Sequence, residues 1–217
     1  MARSIFITAT DTGAGKTHVT SHLVRQLLAR GIRAKAIKPV ASGLDAEGRN
    51  DDIAALLTAQ GLTDADAVNL YRFPVPASPH IAAEAAGNRI DPARLVDWCR
   101  AQAADRDVCL IEGIGGLMVP LTNDFLVCDW IAAMPEAEVW LVAGARLGAI
   151  NHTLLTLSKL QAMGRPAARI ILNDAGDNPE ALQHLHRTIS ALAIPDTLLT
   201  LPYGKIGRLH DLVTHIA

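Results

Sequence analysis

The chain has 217 residues, enough for one substantial domain (1–217) with a sizeable core. Half of its residues are hydrophobic and 19% are charged, which excludes a disordered polymer. Lys plus Arg number 20 against 22 Asp plus Glu, a formal charge of −2, so neither a nucleic acid nor an anionic membrane surface is an expected partner.

The apolar run at 5–8 predicts a strand, and Val19, Leu23, Leu27 and Leu28 recur with helical period over 16–30. A second strand is expected at 34–38. The stretch 42–88 breaks the alternation with Pro74, Pro76 and Pro79. It reads as an insertion of loop and short helices over the sheet edge, one of them at Asp51–Gln60. Ser78-Pro79 has the form of a helix start, with serine as cap and proline in the first turn. Further on, helices are expected at 93–104, 149–163 and 180–192, and strands at Val108–Glu112, 138–142, Arg169–Asn173 and Leu198–Leu201. Several of these strands are continuous apolar runs, the pattern of parallel strands covered on both faces. The alternation predicts an α/β fold, a mostly parallel sheet flanked by helices on both faces.

Cys99, Cys109 and Cys128, spaced by 10 and 19, fit neither a disulfide framework nor a zinc site and read as reduced, buried thiols. The first strand begins too early for a signal peptide, and the most apolar region, 139–150, is interrupted by Arg146 and too short to span a bilayer. A cytoplasmic protein is expected.

Between the first strand and first helix stands Thr8-Ala9-Thr10-Asp11-Thr12-Gly13-Ala14-Gly15-Lys16-Thr17. Strand, glycine-containing loop, Gly-Lys-Thr and helix make the setting of a phosphate-binding loop. Backbone N–H groups and the helix dipole favour phosphate there, Lys16 adds a compact positive charge, and the Thr17 hydroxyl suits Mg²⁺. The usual spacing would put glycine at position 10, where this chain has Thr10.

Ligands of open parallel sheets bind beyond the carboxyl ends of the strands. Lys38 closes the second strand, where it could meet a triphosphate, and the spacing is equally compatible with a lysine reaching out to water. Glu112 ends an apolar strand ahead of Gly113, Gly115 and Gly116, the place of a carboxylate ligand for Mg²⁺. Asp51 and Asp52 follow Asn50, a spacing that by itself suggests a helix N-terminus. His18 and His22 are four apart on the first helix without a zincin glutamate and read as a packed or solvated pair; His184 and His186 read as surface residues.

Together these motifs resemble the dethiobiotin synthetases, whose loop Gly-Thr-Asp-Thr-x-x-Gly-Lys-Thr is one residue longer than the usual form and matches 9–17. Lys38-Pro39-Val40-Ala41-Ser42-Gly43, Asn50-Asp51-Asp52, Tyr71 through Ser78-Pro79-His80, Glu112-Gly113-Ile114-Gly115-Gly116, Leu147 through His152, and Asn173-Asp174 follow in family order. The resemblance covers residues 3 to about 204. It implies ATP and Mg²⁺, with Thr17, Asp52 and Glu112 as metal ligands and Lys38 as catalytic lysine beside Lys16. Nucleotide contacts would come from Gly13, Ala14, Gly15, Lys16, Thr17, His18, Asp52, Glu112, Gly113, Ile114 and Gly115, with Asn173, Asp174 and Pro202 near adenine. Thr12 and Ser42 would face the diamine substrate, and Gly148, Ala149, Ile150 and Asn151 would bind its carboxylate from the partner subunit of a homodimer. The implied reaction joins 7,8-diaminononanoate and CO₂ into a cyclic urea. Three positions depart from the family pattern: Ala9 for glycine, Ile114 for alanine, and Arg146 where lysine is common.

Two rival readings share the loop. Amide-forming synthetases of the cobyric and cobyrinic acid type usually carry a glutaminase domain, for which 217 residues leave no room. Nucleotide-switched ATPases of chromosome partitioning or division-site selection commonly have a second lysine early in the loop and an amphipathic C-terminal helix. Here the loop holds Lys16 alone, and 207–217 is short with mixed charges.

Overall fold

Strand β1 (Arg3–Ala9) is buried along its length except at Arg3, as a strand flanked and covered on all sides requires. The computed structural model describes residues 3–174, 176, 178–192, 198–204 and 213. The C-terminal segment 207–217 therefore lies outside the described residues apart from Val213. On one side β1 pairs with β5 (Val108–Glu112) and on the other with β6 (Glu138–Gly144). Beyond them stand β2 (Ala34–Ile37), β7 (Arg169–Asn173) and β8 (Leu198–Leu201). The order is β2-β5-β1-β6-β7-β8, and every pairing is parallel.

Alternate side chains of β1 supply the two halves of the core. Ile5 and Ile7 pack with Val19, Leu23 and Leu27 of α1 (Lys16–Ala29) and Leu56 of α2 (Asp51–Gln60). Phe6 faces the other way, edge-on to Trp130 with ring centroids 4.7 Å apart, in a cluster with Leu95 and Cys99 of α4 (Pro92–Ala103). Trp130 belongs to α5 (Val127–Ala132), while α6 (Ala149–Ala162) and α7 (Pro179–Leu192) cover β7. Helices on both faces of a parallel sheet are as the sequence predicts. All three cysteines are buried free thiols, and burial pushes Cys109 up to about 12.

Three features differ from the sequence expectation. The 42–88 stretch is more ordered than loop and short helices: β3 (Val40–Ser42) and β4 (Tyr71–Phe73) form a separate parallel pair, followed by α3 (Pro79–Ala85). These strands are three residues long, too short to show a period. Helix α5, six residues long, leaves no periodic trace for the same reason. Lys38 stands one residue past β2 rather than within it, because its N–H donates to Val68 O at 2.8 Å and leaves the sheet ladder. Among the described residues, no helix is long and apolar enough to cross a membrane.

Candidate active site

The loop after β1 turns into α1 at Gly15, whose φ of +95° is a left-handed conformation that glycine adopts without strain. A Cβ here would lie 2.0 Å from Nδ2 of Asn173, the amide that donates to Ala14 O at 3.0 Å and holds the back of the loop. Ala9, by contrast, is the last residue of β1, paired with Val142 in extended backbone. Extended backbone accepts alanine there without strain. Lys16 is buried, and its Nζ donates to Gly115 O at 2.8 Å and to Asp11 O at 3.4 Å. Burial, together with the charge of Lys38, lowers its pKa to about 8. Arg146, from the loop after β6, pairs with Asp11. Although burial favours the protonated Asp11 carboxyl, the Thr12 N–H and Arg146 hold its pKa below the usual value.

Lys38 lies between two carboxylates. Its side chain is 3% exposed, and Nζ is 2.8 Å from Oδ2 of Asp52 and 2.7 Å from Oε1 of Glu112. Burial works against its charge, but the two carboxylates prevail and hold its pKa above that of an ordinary lysine. Burial likewise opposes the Asp52 carboxylate, and Lys38 with the Thr17 hydroxyl keeps it below the usual carboxylate value. The Thr17 Oγ1 is 2.7 Å from Asp52 Oδ1 and 2.6 Å from Glu112 Oε1, and with one proton it donates to one of them at a time. Glu112 Oε2 is buried and has no hydrogen-bond partner among the described residues. A hydroxyl and two carboxylates, one of them with an orphaned oxygen, form a hard donor set that fits Mg²⁺, which takes one or two carboxylates plus phosphate oxygens.

Asn50 explains how Asp52 arrives there. Its Oδ1 caps α2 by accepting from Asp52 N and Ile53 N, and its Nδ2 donates to Gly43 O at 2.9 Å. The N-terminus expected at Asp51-Asp52 is therefore real, yet Asp52 points into the site while Asp51 is exposed.

A cleft of about 720 Å³ opens beyond these strand ends. Of the residues singled out from the sequence, Thr12, Gly13, Gly15, Lys16, Thr17, Lys38, Ser42, Asp52, Ile114 and Gly115 line it. Glu112 lies beneath it, reached through Lys38 and Thr17, and Gly113 follows with its N–H on Ile7 O at 3.0 Å. Ala14, Asn173 and Asp174 are buried, Asn173 behind the phosphate loop and Asp174 with its N–H on Leu201 O, next to Pro202. His18 is exposed on α1, its ring edge-on to His22 at 4.7 Å, the packed pair expected. Gly148, Ala149 and Ile150 are not brought to this cleft; they line a second one of about 310 Å³ with Arg146 and His184, and Asn151 is exposed beside them.

Other residues at the site have no role assigned from the sequence, although Pro76 and Ala77 fall within the family-like segment 71–80. The apolar wall includes Pro76, Ala77 and Val119 beside Ile114. Asn69, 3% exposed, holds the backbone under Lys38 with a bond from Nδ2 to Lys38 O at 2.6 Å. A lone buried polar side chain in the short connection ahead of β4 has no periodic pattern to reveal it.

A family model described as an AAA domain matches residues 3–205. The chain is 40% identical to an ATP-dependent dethiobiotin synthetase BioD of Acidiphilium cryptum, over 88% of this chain and 92% of that one. To the ATP-dependent dethiobiotin synthetase BioD 1 of Escherichia coli O157:H7 it is 37% identical, over 92% and 89%. Among solved structures, a ParA family ATPase from Chlorobium tepidum matches with a TM-score of 0.56 at 16% identity, over 99% of this chain and 90% of that one. The cell division ATPase MinD of Pyrococcus furiosus matches with 0.53 at 19% identity, over the whole of both. These two likenesses show a shared P-loop fold. The extent and identity of the sequence matches place the chain in the dethiobiotin synthetase family.

Proposed function

We propose that the chain catalyses the ATP-dependent carboxylation and ring closure of 7,8-diaminononanoate with CO₂, giving dethiobiotin, ADP and phosphate. The observation that carries this reading is the meeting of Lys16, Lys38, Thr17, Asp52 and Glu112 at the end of a cleft walled by Ile114, Val119 and Pro76. A diamine on an alkyl chain, reacting beside a triphosphate, needs that combination of charge and apolar wall.

One amine takes up CO₂ as a carbamate, and a carbamate oxygen attacks the γ-phosphorus of ATP to give a carbamic-phosphoric anhydride. The second amine then closes the ring and expels phosphate. Lys16 and the loop amides from Gly13 to His18 hold the phosphates, with Gly113, Ile114 and Gly115 alongside. Lys38 stabilises charge on the transferring phosphoryl group. Thr17, Asp52 and Glu112 would hold Mg²⁺, which neutralises phosphate charge when bound. Thr12 and Ser42 orient the amines, and because both sit on one chain the closure is intramolecular. Asn173, Asp174 and Pro202 lie towards adenine.

The carboxylate end of the substrate goes to Gly148–Asn151 of a second subunit, at the N-terminus of a 14-residue helix that favours an anion. Two observations support a shared site in a homodimer: the segment lines a cleft other than the main one, and Leu147 and Leu155 beside it are exposed.

The test is phosphate release with MgATP and bicarbonate, with and without 7,8-diaminononanoate, with the product identified by mass. Diamine-dependent turnover yielding dethiobiotin is expected. ATP turnover indifferent to the diamine would overturn the reading in favour of a switch ATPase.

A further inference from the structure

Ser78 caps α3 in position but not in bonding. A serine at a helix N-cap ordinarily accepts from the N–H groups of the first turn, which contributes about 1 kcal/mol. The Ser78 hydroxyl makes no such bond among the described residues; its Oγ lies 3.1 Å from Nδ1 of His80. A cap that forgoes its usual bond points to another use for the hydroxyl. Ser78 lines the 720 Å³ cleft together with Lys38 and Ser42. His80 lines a different cleft, of about 480 Å³, whose charged lining groups are Glu84 of α3 and Arg89. From the 121–123 segment that cleft receives neutral Leu121, Thr122 and Asn123. The Ser78–His80 contact thus joins two cavities, with a hydroxyl in one and an imidazole in the other.

The reaction proposed above, on which this inference rests, needs a proton outlet. The second amine sheds a proton as it becomes an amide nitrogen. Lys38 is held in its charged form by Asp52 and Glu112; three of the four oxygens of those carboxylates are engaged by Lys38 and Thr17, and the fourth, Glu112 Oε2, is buried beneath the cleft. We propose that Ser78 and His80 form a relay that carries the proton released at ring closure from the substrate amine to the outer cleft. As the amine nitrogen forms its bond to the anhydride carbon, the carbon–oxygen bond to phosphate breaks and phosphate leaves with the electron pair. The amine proton passes to Ser78 Oγ, the serine proton passes to the lone pair of His80 Nδ1, and the Nε2 proton is lost to water in the outer cleft. His80 acts through Ser78 and touches no substrate atom.

The test compares the full-length protein with His80→Asn, His80→Gly, Ser78→Ala and Ser78→Thr. Dethiobiotin formation is followed with and without added imidazole, and ADP formation is followed in a single turnover. The His80 variants and Ser78→Ala are expected to close the ring about 100-fold more slowly, the usual scale for a positioned proton acceptor. Their KM values for ATP and diamine should change less than about twofold, with the ADP burst retained, as the relay acts after phosphoryl transfer. Imidazole in the buffer should restore rate to His80→Gly, and Ser78→Thr, which keeps the hydroxyl, should stay active. A loss without imidazole rescue in His80→Gly, or an unchanged rate in the variants, would overturn the relay. Wild-type protein that forms no dethiobiotin would instead overturn the proposed function itself.

Discussion

The side-chain amide of Asn69 donates to the main-chain carbonyl of Lys38 at 2.6 Å and to that of Tyr71 at 3.1 Å. Lys38 N–H in turn donates to Val68 O at 2.8 Å, so the backbone of this lysine is held on both sides by one short segment. The position of the Lys38 ammonium is set from below by a residue that does not line the cleft.

Replacing Asn69 with alanine leaves two buried carbonyls short of a donor, at a cost of about 1–3 kcal/mol. The expected result is a lower urea midpoint together with a fall in kcat for dethiobiotin formation, while KM for ATP stays near the wild-type value. Steady-state kinetics on the folded variant separate the two effects, and a rise in KM alone would contradict the positioning role.

Lys38→Met should abolish product formation and leave Asp52 and Glu112 facing each other uncompensated. Breaking a buried ion pair in this way costs about 3–5 kcal/mol, and the lower end applies because the Asp52 side chain is 43% exposed. Mg²⁺ should raise the melting temperature of Lys38→Met more than that of the wild type, since a cation between the carboxylates replaces the missing charge. Thermal melts with and without EDTA measure this, and equal shifts would argue against Thr17, Asp52 and Glu112 as the metal site.

Gly15→Ala and Gly13→Ala offer a controlled comparison. Both positions have positive φ, +95° and +73°, but the Gly15 Cβ would strike Asn173 whereas the Gly13 Cβ meets nothing within 4 Å. Gly13→Ala should carry only the backbone strain of about 1–3 kcal/mol. In Gly15→Ala, displacement of Asn173 and loss of its bond to Ala14 add to that strain, so nucleotide binding by calorimetry should weaken at least about tenfold further, roughly 1.4 kcal/mol.

His22 gives the fold a weak acid sensitivity. Burial, the neighbouring His18 and Arg25 all lower its pKa. Above the ordinary histidine value of about 6.5 the imidazole is neutral in both folded and unfolded chains. As pH falls below that value the unfolded chain binds the proton first, so stability declines towards the lower folded pKa. His22→Gln should flatten the melting temperature between pH 7 and 5, and an unaltered slope would assign the decline to other groups.

Residues whose role depends on local chain geometry were legible in the sequence. Gly15, Lys16 and Thr17 follow from a strand that ends and a helix that begins around them, and Glu112 from a charge at the tip of an apolar strand. Lys38 and Asp52 are different. Each fits a bland surface role by spacing, and only the meeting of the end of β2, the start of α2 and the tip of β5 turns them into an ion-pair cluster. Family resemblance identified both where periodicity left them open. Asn69 had no local signal, and Ser78-Pro79-His80 read only as a helix start within a family-like segment, because the importance of both lies in which backbone or cavity they reach across the fold.

The pairing of β1 also has a consequence for how the protein is made. The phosphate loop is synthesised by residue 17, but the strand that carries it finds its neighbours only at Val108–Glu112 and Glu138–Gly144. Such distant parallel partners form slowly, since a long loop must close before any contact rewards it. A chain emerging from the ribosome therefore exposes an apolar β1 with at least one unpaired edge until about two-thirds of the sequence has been translated. Truncated products that stop short of β6 would carry the complete phosphate-loop sequence and still be unable to hold a nucleotide.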